Sequence, residues 1–156
     1  AFVQFAISPG GDTMVTGGQI SGEILVFDIS DSRKPVLQKR LALGGQPWHP
    51  VYSVDGAVVY FPQRTANTVA VIDTSSWELV DQISGGGLYE PHGSAISDDG
   101  RWLFVSGRNT AGEYGDVVEG AKPPGTLNII DTESRQVIKV LKVPAYAAGV
   151  GASGSR

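Results

Sequence analysis

Two histidines and two arginines recur at nearly matched positions, and they are the side chains best suited to chemistry. His49 stands in "QPWHPVYSVDG" and His92 in "EPHGSAISDDG". The first lies four residues before Ser53, the second five before Ser97. Arg64 and Arg108 each follow those serines by eleven residues, and Gln19 follows Ser8 by the same distance. Imidazole can ligate a metal or carry a proton near neutral pH. Guanidinium binds carboxylate or phosphate through paired, charge-assisted hydrogen bonds. Each side chain also has a plainer use. A Pro-His can simply hydrogen-bond nearby backbone, and an arginine can be solvated or bridge adjacent elements.

Other chemistries leave no signature. There is no Gly-rich phosphate loop, no HExxH and no serine elbow, and "GGQ" and "SGGGL" read as loop glycines. His49 and His92 are candidate metal ligands, but no third ligand stands at a defined spacing. The absence of cysteine excludes disulfides, thiolate zinc, iron–sulfur clusters and covalent c-type haem on this chain. A net charge of -4 with no basic run argues against nucleic acid as a partner. No apolar run approaches the roughly 20 residues that span a bilayer. The opening "AFVQFAISPGG" shows neither the basic start nor the cleavage site of a signal peptide.

The elements that must position these residues are written as a repeat. "SPGGD", "SVDGA" and "SDDGR" place Ser8, Ser53 and Ser97 at intervals of 45 and 44 residues. "ILVFDIS", "VAVIDTS" and "LNIIDTE" align Asp28, Asp73 and Asp131. The serine-to-aspartate interval is 20 residues twice and then 34, so the third repeat carries a 14-residue insertion, within "TAGEYGDVVEGAKPPG". A fourth copy starts in "AAGVGASG", with Ser153 at the serine position.

Each repeat reads as four short strands rich in Val, Ile, Tyr and Phe. In the first they are expected near Val3 to Ser8, Thr13 to Gly17, Ile24 to Asp28 and Val36 to Leu41. In the second they are "PVYSV", "AVVYFPQ", "TVAVID" and "LVDQIS". Asp55-Gly56 and Asp99-Gly100 are expected hairpin turns, and Asp28, Asp73 and Asp131 are expected to hold the next turn's amides. A chain that is 41% apolar and 18% charged, with 21 glycines, suits such a turn-rich, folded, all-β chain. Four-stranded units at this period predict a β-propeller of antiparallel blades. The blades fall at about 1–46, 47–90 and 91–143, with the start of a fourth at 144–156. Three blades and one strand do not close a ring, so the expectation is part of a propeller of seven or eight blades, the alternative being a half-propeller completed by a second copy, with Phe5 and Val150 awaiting neighbours.

Propeller geometry gathers the candidate residues. The loop leading into a blade and the loop between its second and third strands emerge on one face, and the Asp-Gly turn on the other. One face therefore collects Trp48, His49, Arg64, Tyr89, Glu90, His92, Arg108 and Asn109. The insertion leaves from that face and brings Tyr114, with Glu113 and Asp116. Trp48 and Trp102 read first as packing residues, and Trp77 as peripheral packing. The insertion is expected to fold over the face as a rim or lid.

"PHGSAISDDGRWLFVSGRN" followed by "GTLNIIDTESRQVIKVLKV" resembles the YVTN family of propeller repeats, which includes surface-layer-like proteins. "VIDT" from Val71 to Thr74 is intact, while "LFVSGRN" and "VYFPQRT" stand where the name-giving motif would be. The resemblance implies the propeller fold and a periplasmic or extracellular location. It implies a binding or scaffolding module whose face engages a protein partner or surface polymer, without a cofactor, in a larger assembly. The alternative is a haem- or metal-bearing redox propeller similar to cytochrome-cd-type nitrite reductases, with histidine as ligand or proton donor and arginine against propionates.

Overall fold

The computed structural model describes residues 2–152. Its twelve strands are β1 (Phe2–Ile7), β2 (Thr13–Gly18), β3 (Glu23–Asp28), β4 (Val36–Ala42), β5 (Val51–Tyr52), β6 (Val58–Gln63), β7 (Thr68–Asp73), β8 (Glu78–Ser84), β9 (Pro91–Ile96), β10 (Trp102–Gly107), β11 (Gly125–Asp131) and β12 (Gln136–Val143). They form three four-stranded antiparallel meanders, β1 to β4, β5 to β8 and β9 to β12. Among the described residues there is no helix. The arrangement is all-β and propeller-like, with one sheet per sequence repeat.

The turn chemistry follows the sequence. In the second sheet the Ser53 hydroxyl donates to Asp55 at 2.6 Å and accepts the Val58 amide at 3.0 Å. The third sheet repeats this with Ser97, Asp99 and the Trp102 amide. Gly56 and Gly100 turn the chain at φ 74° and 72°, a conformation strained for a side chain with a Cβ. In the first sheet the acid follows the turning Gly11 instead of preceding it, and Asp12 accepts the Ser8 hydroxyl. At the same end of the sheet, where the third strand finishes, Asp73 accepts the Ser75 and Ser76 amides at 2.9 and 2.8 Å. Asp131 does the same for Glu133 and Ser134, and Asp28 for Ser30. The Ser75 hydroxyl first, then the amide and hydroxyl of Ser76, hold the Asp73 carboxyl at about 2. Thr74 and Thr132 then tie this turn to the Asp-Gly turn, bonding the carbonyls of Gly56 and Gly100 at 2.6 and 2.8 Å. The Asp-Thr pair of the repeat is thus a structural clasp.

Strand alternation builds the core. Val59 and Phe61 of β6, with Ala70 and Ile72 of β7, pack on Val15, Ile24 and Val26 of the first sheet. Tyr60, Val69 and Val71 face the other way, onto Leu103, Val105 and Ile130 of the third. The middle sheet is buried on both faces, so its inner strands read as unbroken apolar runs. Trp77 packs against the first of these clusters.

Two expectations need adjustment. The strand expected as "PVYSV" is only two residues long, because Pro47 and Pro50 in the approach have no amide to give. A lone bridge from Pro47 to Gln63 extends it. In the fourth copy, residues 144–152 carry no strand. Its serine, Ser153, lies outside the described residues.

The outward faces of the first and third sheets are apolar but uncovered. The register sets Phe5 beside Thr16, and Ile7 beside Met14 and hence Phe27. Phe5 is 57% exposed and Ile7 48%. On the third sheet, Phe104 and Leu127 line an open groove with Val150.

Candidate functional site

The lead-in loop and the loop after the second strand of a sheet are stitched together by backbone. The Arg64 amide donates to Gln46 and the Arg108 amide to Glu90, at 3.1 and 3.2 Å. Thr65 and Asn109 bond Gly45 and Tyr89 in the same way. Gln46, Glu90 and Tyr146 each lie seven residues before a repeat serine. All three adopt left-handed backbone, at φ 53°, 49° and 66°. The lead-in loop of the fourth copy therefore has the backbone turn of the second and third.

Histidine and tryptophan meet across adjacent blades. Trp48 and His92 occupy the same repeat position, five before the serine, and their rings lie 4.0 Å apart. His49 closes the group, edge-on to His92 at 4.5 Å and 5.6 Å from Trp48. The Ser94 hydroxyl donates to the His49 carbonyl at 2.6 Å, joining the second lead-in loop to β9. His92 is buried, with Nδ1 2.6 Å from the Ala148 carbonyl. Burial and the neighbouring charges of His49, Arg108 and Arg64 push His92 down to about 4, against the pull of that carbonyl. Burial also lowers His49. Both rings are therefore neutral at pH 7.

Glu90 organises the arginine side of the face. Its Oε1 accepts Arg64 Nη2 at 2.8 Å, and its Oε2 accepts the Thr110 amide at 2.7 Å and the Thr110 hydroxyl. Burial alone would raise this carboxyl, but the bonds from Thr110 and Arg64 outweigh it and hold it at about 2. The Glu90 amide is fixed in turn by Asn67 at 2.9 Å. Among the described residues Arg108 has no such carboxylate. Its guanidinium lies 3.8 Å over the Tyr146 ring and it is 7% exposed, and its Nε, like that of Arg64, has no acceptor among the described residues.

The insertion is anchored through Asn109. That buried amide donates to the carbonyls of Tyr114 at 3.0 Å and Pro124 at 2.9 Å, and its oxygen accepts the Tyr114 amide. Asn109 thus clamps both ends of the inserted loop. Ala111 and Glu113 then border a cavity of about 220 Å³ with Arg64, Asn67, Tyr89 and Glu90. A second cavity, about 240 Å³, lies between Arg108, Thr110, Lys122, Pro123, Ala145 and Tyr146.

The expected face residues therefore form two groups, the Trp48–His49–His92 rings and the Arg64–Glu90–Thr110 ion pair, with Arg108 beside the second. Tyr114 meets the site only through its backbone clamp to Asn109. Three residues escaped the sequence reading: Thr110, Lys122 and Tyr146. Tyr146 had a readable signal, since it stands in the repeat register of Glu90. Among the described residues no group of three or more His, Cys, Asp or Glu could hold a metal ion. A haem does not fit this chain's residues either. His92 is packed against Trp48 and His49, and neither histidine borders the 220 Å³ cavity.

No family model matches the chain, and no curated protein matches it. Among solved structures it is similar to a chain of the Kuenenia stuttgartiensis hydrazine synthase, with a TM-score of 0.73 and 26% identity. The match covers 90% of this chain and 36% of that one, so this sequence is similar to about a third of a longer polypeptide.

Proposed function

We propose that this chain is part of a larger β-propeller of the YVTN type, of seven or eight blades, that works as a binding and scaffolding module in a periplasmic or extracellular assembly. Its working face is the one built from Trp48, His49, Arg64, Glu90, His92 and Arg108. The observation that carries the reading is the pair of apolar, uncovered outward sheet faces, with Phe5 at 57% exposure on one and the Phe104–Leu127–Val150 groove on the other. Faces of this kind seat further sheets when a propeller closes. The longer chain of the structural neighbour supports the same view.

A second reading has one observation behind it. The neighbour is named for an enzyme that makes hydrazine, which favours membership of a redox complex for the whole propeller. Any cofactor in that case is held by residues beyond those described, since the histidine group here is closed by its own ring contacts.

The chain has no cysteine, so a single introduced thiol gives a clean test. In the assembled protein, Phe5→Cys should resist maleimide while Val118→Cys, at a site now 72% exposed, reacts freely. Equal reactivity of the two would sink the larger propeller. A visible absorption spectrum of the same assembled protein separates the two readings: a Soret-like band favours the redox complex, and a blank one the scaffold.

A further inference from the structure

Each blade's arginine position faces the next lead-in loop. Arg64, from the second blade, meets Glu90 of the third lead-in loop as an ion pair at 2.8 Å. Arg108, from the third blade, meets Tyr146 of the next lead-in loop at 3.8 Å. Glu90 and Tyr146 are equivalent in repeat register and in backbone conformation. The second of these two junctions therefore has the cation but not the carboxylate.

An arginine side chain that is 7% exposed and has no ion pair among the described residues is expensive to keep. The ring of Tyr146 offsets part of this through its π-face. Glu90 acts on Arg108 only at a distance, because its direct bonds go to Arg64 and Thr110. The place where a second carboxylate would sit is open: Arg108 borders the 240 Å³ cavity, and Lys122 adds another cation to its rim. Lys122 comes from the "KPPG" return of the insertion, so the extra loop supplies one wall. Pro123, Ala145 and Tyr146 line the remainder with apolar surface.

We propose that this cavity is a binding site for a small organic carboxylate, whose carboxyl group takes on Arg108 the place that Glu90 takes on Arg64. Lys122 adds long-range attraction, and the apolar wall receives the ligand's hydrocarbon or aromatic body. The volume suits a compact monocarboxylate. The proposal rests on this face being a binding face, and it names the ligand class.

The test is calorimetric titration of the assembled protein with benzoate and, separately, with inorganic phosphate. Benzoate should bind saturably and more tightly than phosphate. Arg108→Gln should weaken it about 10- to 100-fold, the worth of hydrogen bonds to a charged group. Lys122→Gln should weaken it only a few-fold, as expected of an exposed charge. Tyr146→Glu restores an internal carboxylate at the Glu90 register, so it should abolish benzoate binding and raise the melting temperature. This variant keeps the test decisive if Arg108→Gln folds poorly. Absence of benzoate binding, binding unchanged by Tyr146→Glu, or tighter binding of phosphate would each overturn the proposal. Failure here leaves the Phe5→Cys labelling result standing, so the two readings fail separately.

Discussion

Replacing Glu90 by glutamine tests whether one carboxylate holds the second and third blades together at this face. The substitution keeps the shape and removes the charge that Arg64 and Thr110 share. The carboxyl sits at about 2 where an ordinary glutamate sits at 4.5, a preference for the ionised form worth about 3 kcal/mol in the folded state. Glu90 keeps 22% of its side-chain exposure, and solvent screening reduces the figure to roughly 2 kcal/mol. For a chain of this size that lowers the melting temperature by about 4–8 °C at pH 7. The pH dependence has a fixed sign. A carboxyl depressed by folding contributes fully above its unfolded value, and the contribution disappears as pH falls from 4.5 toward 2. The gap between wild type and Glu90→Gln should therefore be constant above pH 5 or so and narrow below it. Asp73, also held at about 2, titrates in both proteins and cancels in the difference. Thermal melts followed by circular dichroism from pH 7 to pH 3 make the measurement. A variant that melts within about 1 °C of wild type at pH 7, or a gap that does not narrow in acid, would refute the reasoning.

His92, pushed to about 4 by burial and nearby positive charge, should stay neutral well below the usual range, and an NMR titration of the two imidazoles reads this directly. Because its value falls on folding, its contribution is complete above about pH 6.5 and lost toward 4, so His92→Leu should flatten stability across that window. Gly100→Ala, at φ 72°, should lose about 1–2 kcal/mol in a denaturant melt, the strain of left-handed backbone. Removing residues 111–124 behind a short Gly bridge, while keeping Thr110 for Glu90, should preserve the β10–β11 register but leave the Asn109 amide buried without its two carbonyls. The cost is about 1–3 kcal/mol, and adding Asn109→Gly should recover much of it in the same melts.

The blades were legible because their information is local. A serine, an Asp-Gly turn and an Ile-Asp-Thr strand end each make their hydrogen bonds within about twenty residues of sequence, so spacing alone exposes them. The near-continuous apolar runs of β6 and β7 suit the sheet that is buried on both sides. The candidate face was legible only as a list of residue types. Arg64, Arg108, His49 and His92 could be assigned to one end, but not to partners. The partner of Arg64 lies 26 residues on, in the next lead-in loop, and the acceptor for His92 lies 56 residues on, at Ala148. Such contacts depend on how successive sheets rotate against one another, and no periodicity within one repeat encodes that rotation. The two-residue β5 was misjudged because β-branched composition was weighed above the missing amides of Pro47 and Pro50.

Every lead-in loop needs the left-handed turn, and Gln46, Glu90 and Tyr146 supply it with three unlike side chains. The backbone requirement alone cannot explain that variety, since it is met in each case by the same amide-to-carbonyl stitching wherever the following loop is present. What changes from blade to blade is the charge balance opposite the arginine position. Arg64 and Glu90 cancel, whereas Arg108 and Tyr146 leave a net cation. An ion pair between two blades can be a fixed part of the scaffold, because both charges belong to it. An unmatched buried guanidinium cannot be fixed in that sense, because its neutralising charge must come from outside the described residues. The insertion begins one residue beyond this arginine's neighbour, Asn109, and returns through Lys122 to the same cavity. The repeat is thus broken twice at one place, once in charge and once in chain length, and both breaks open onto the same 240 Å³ of space.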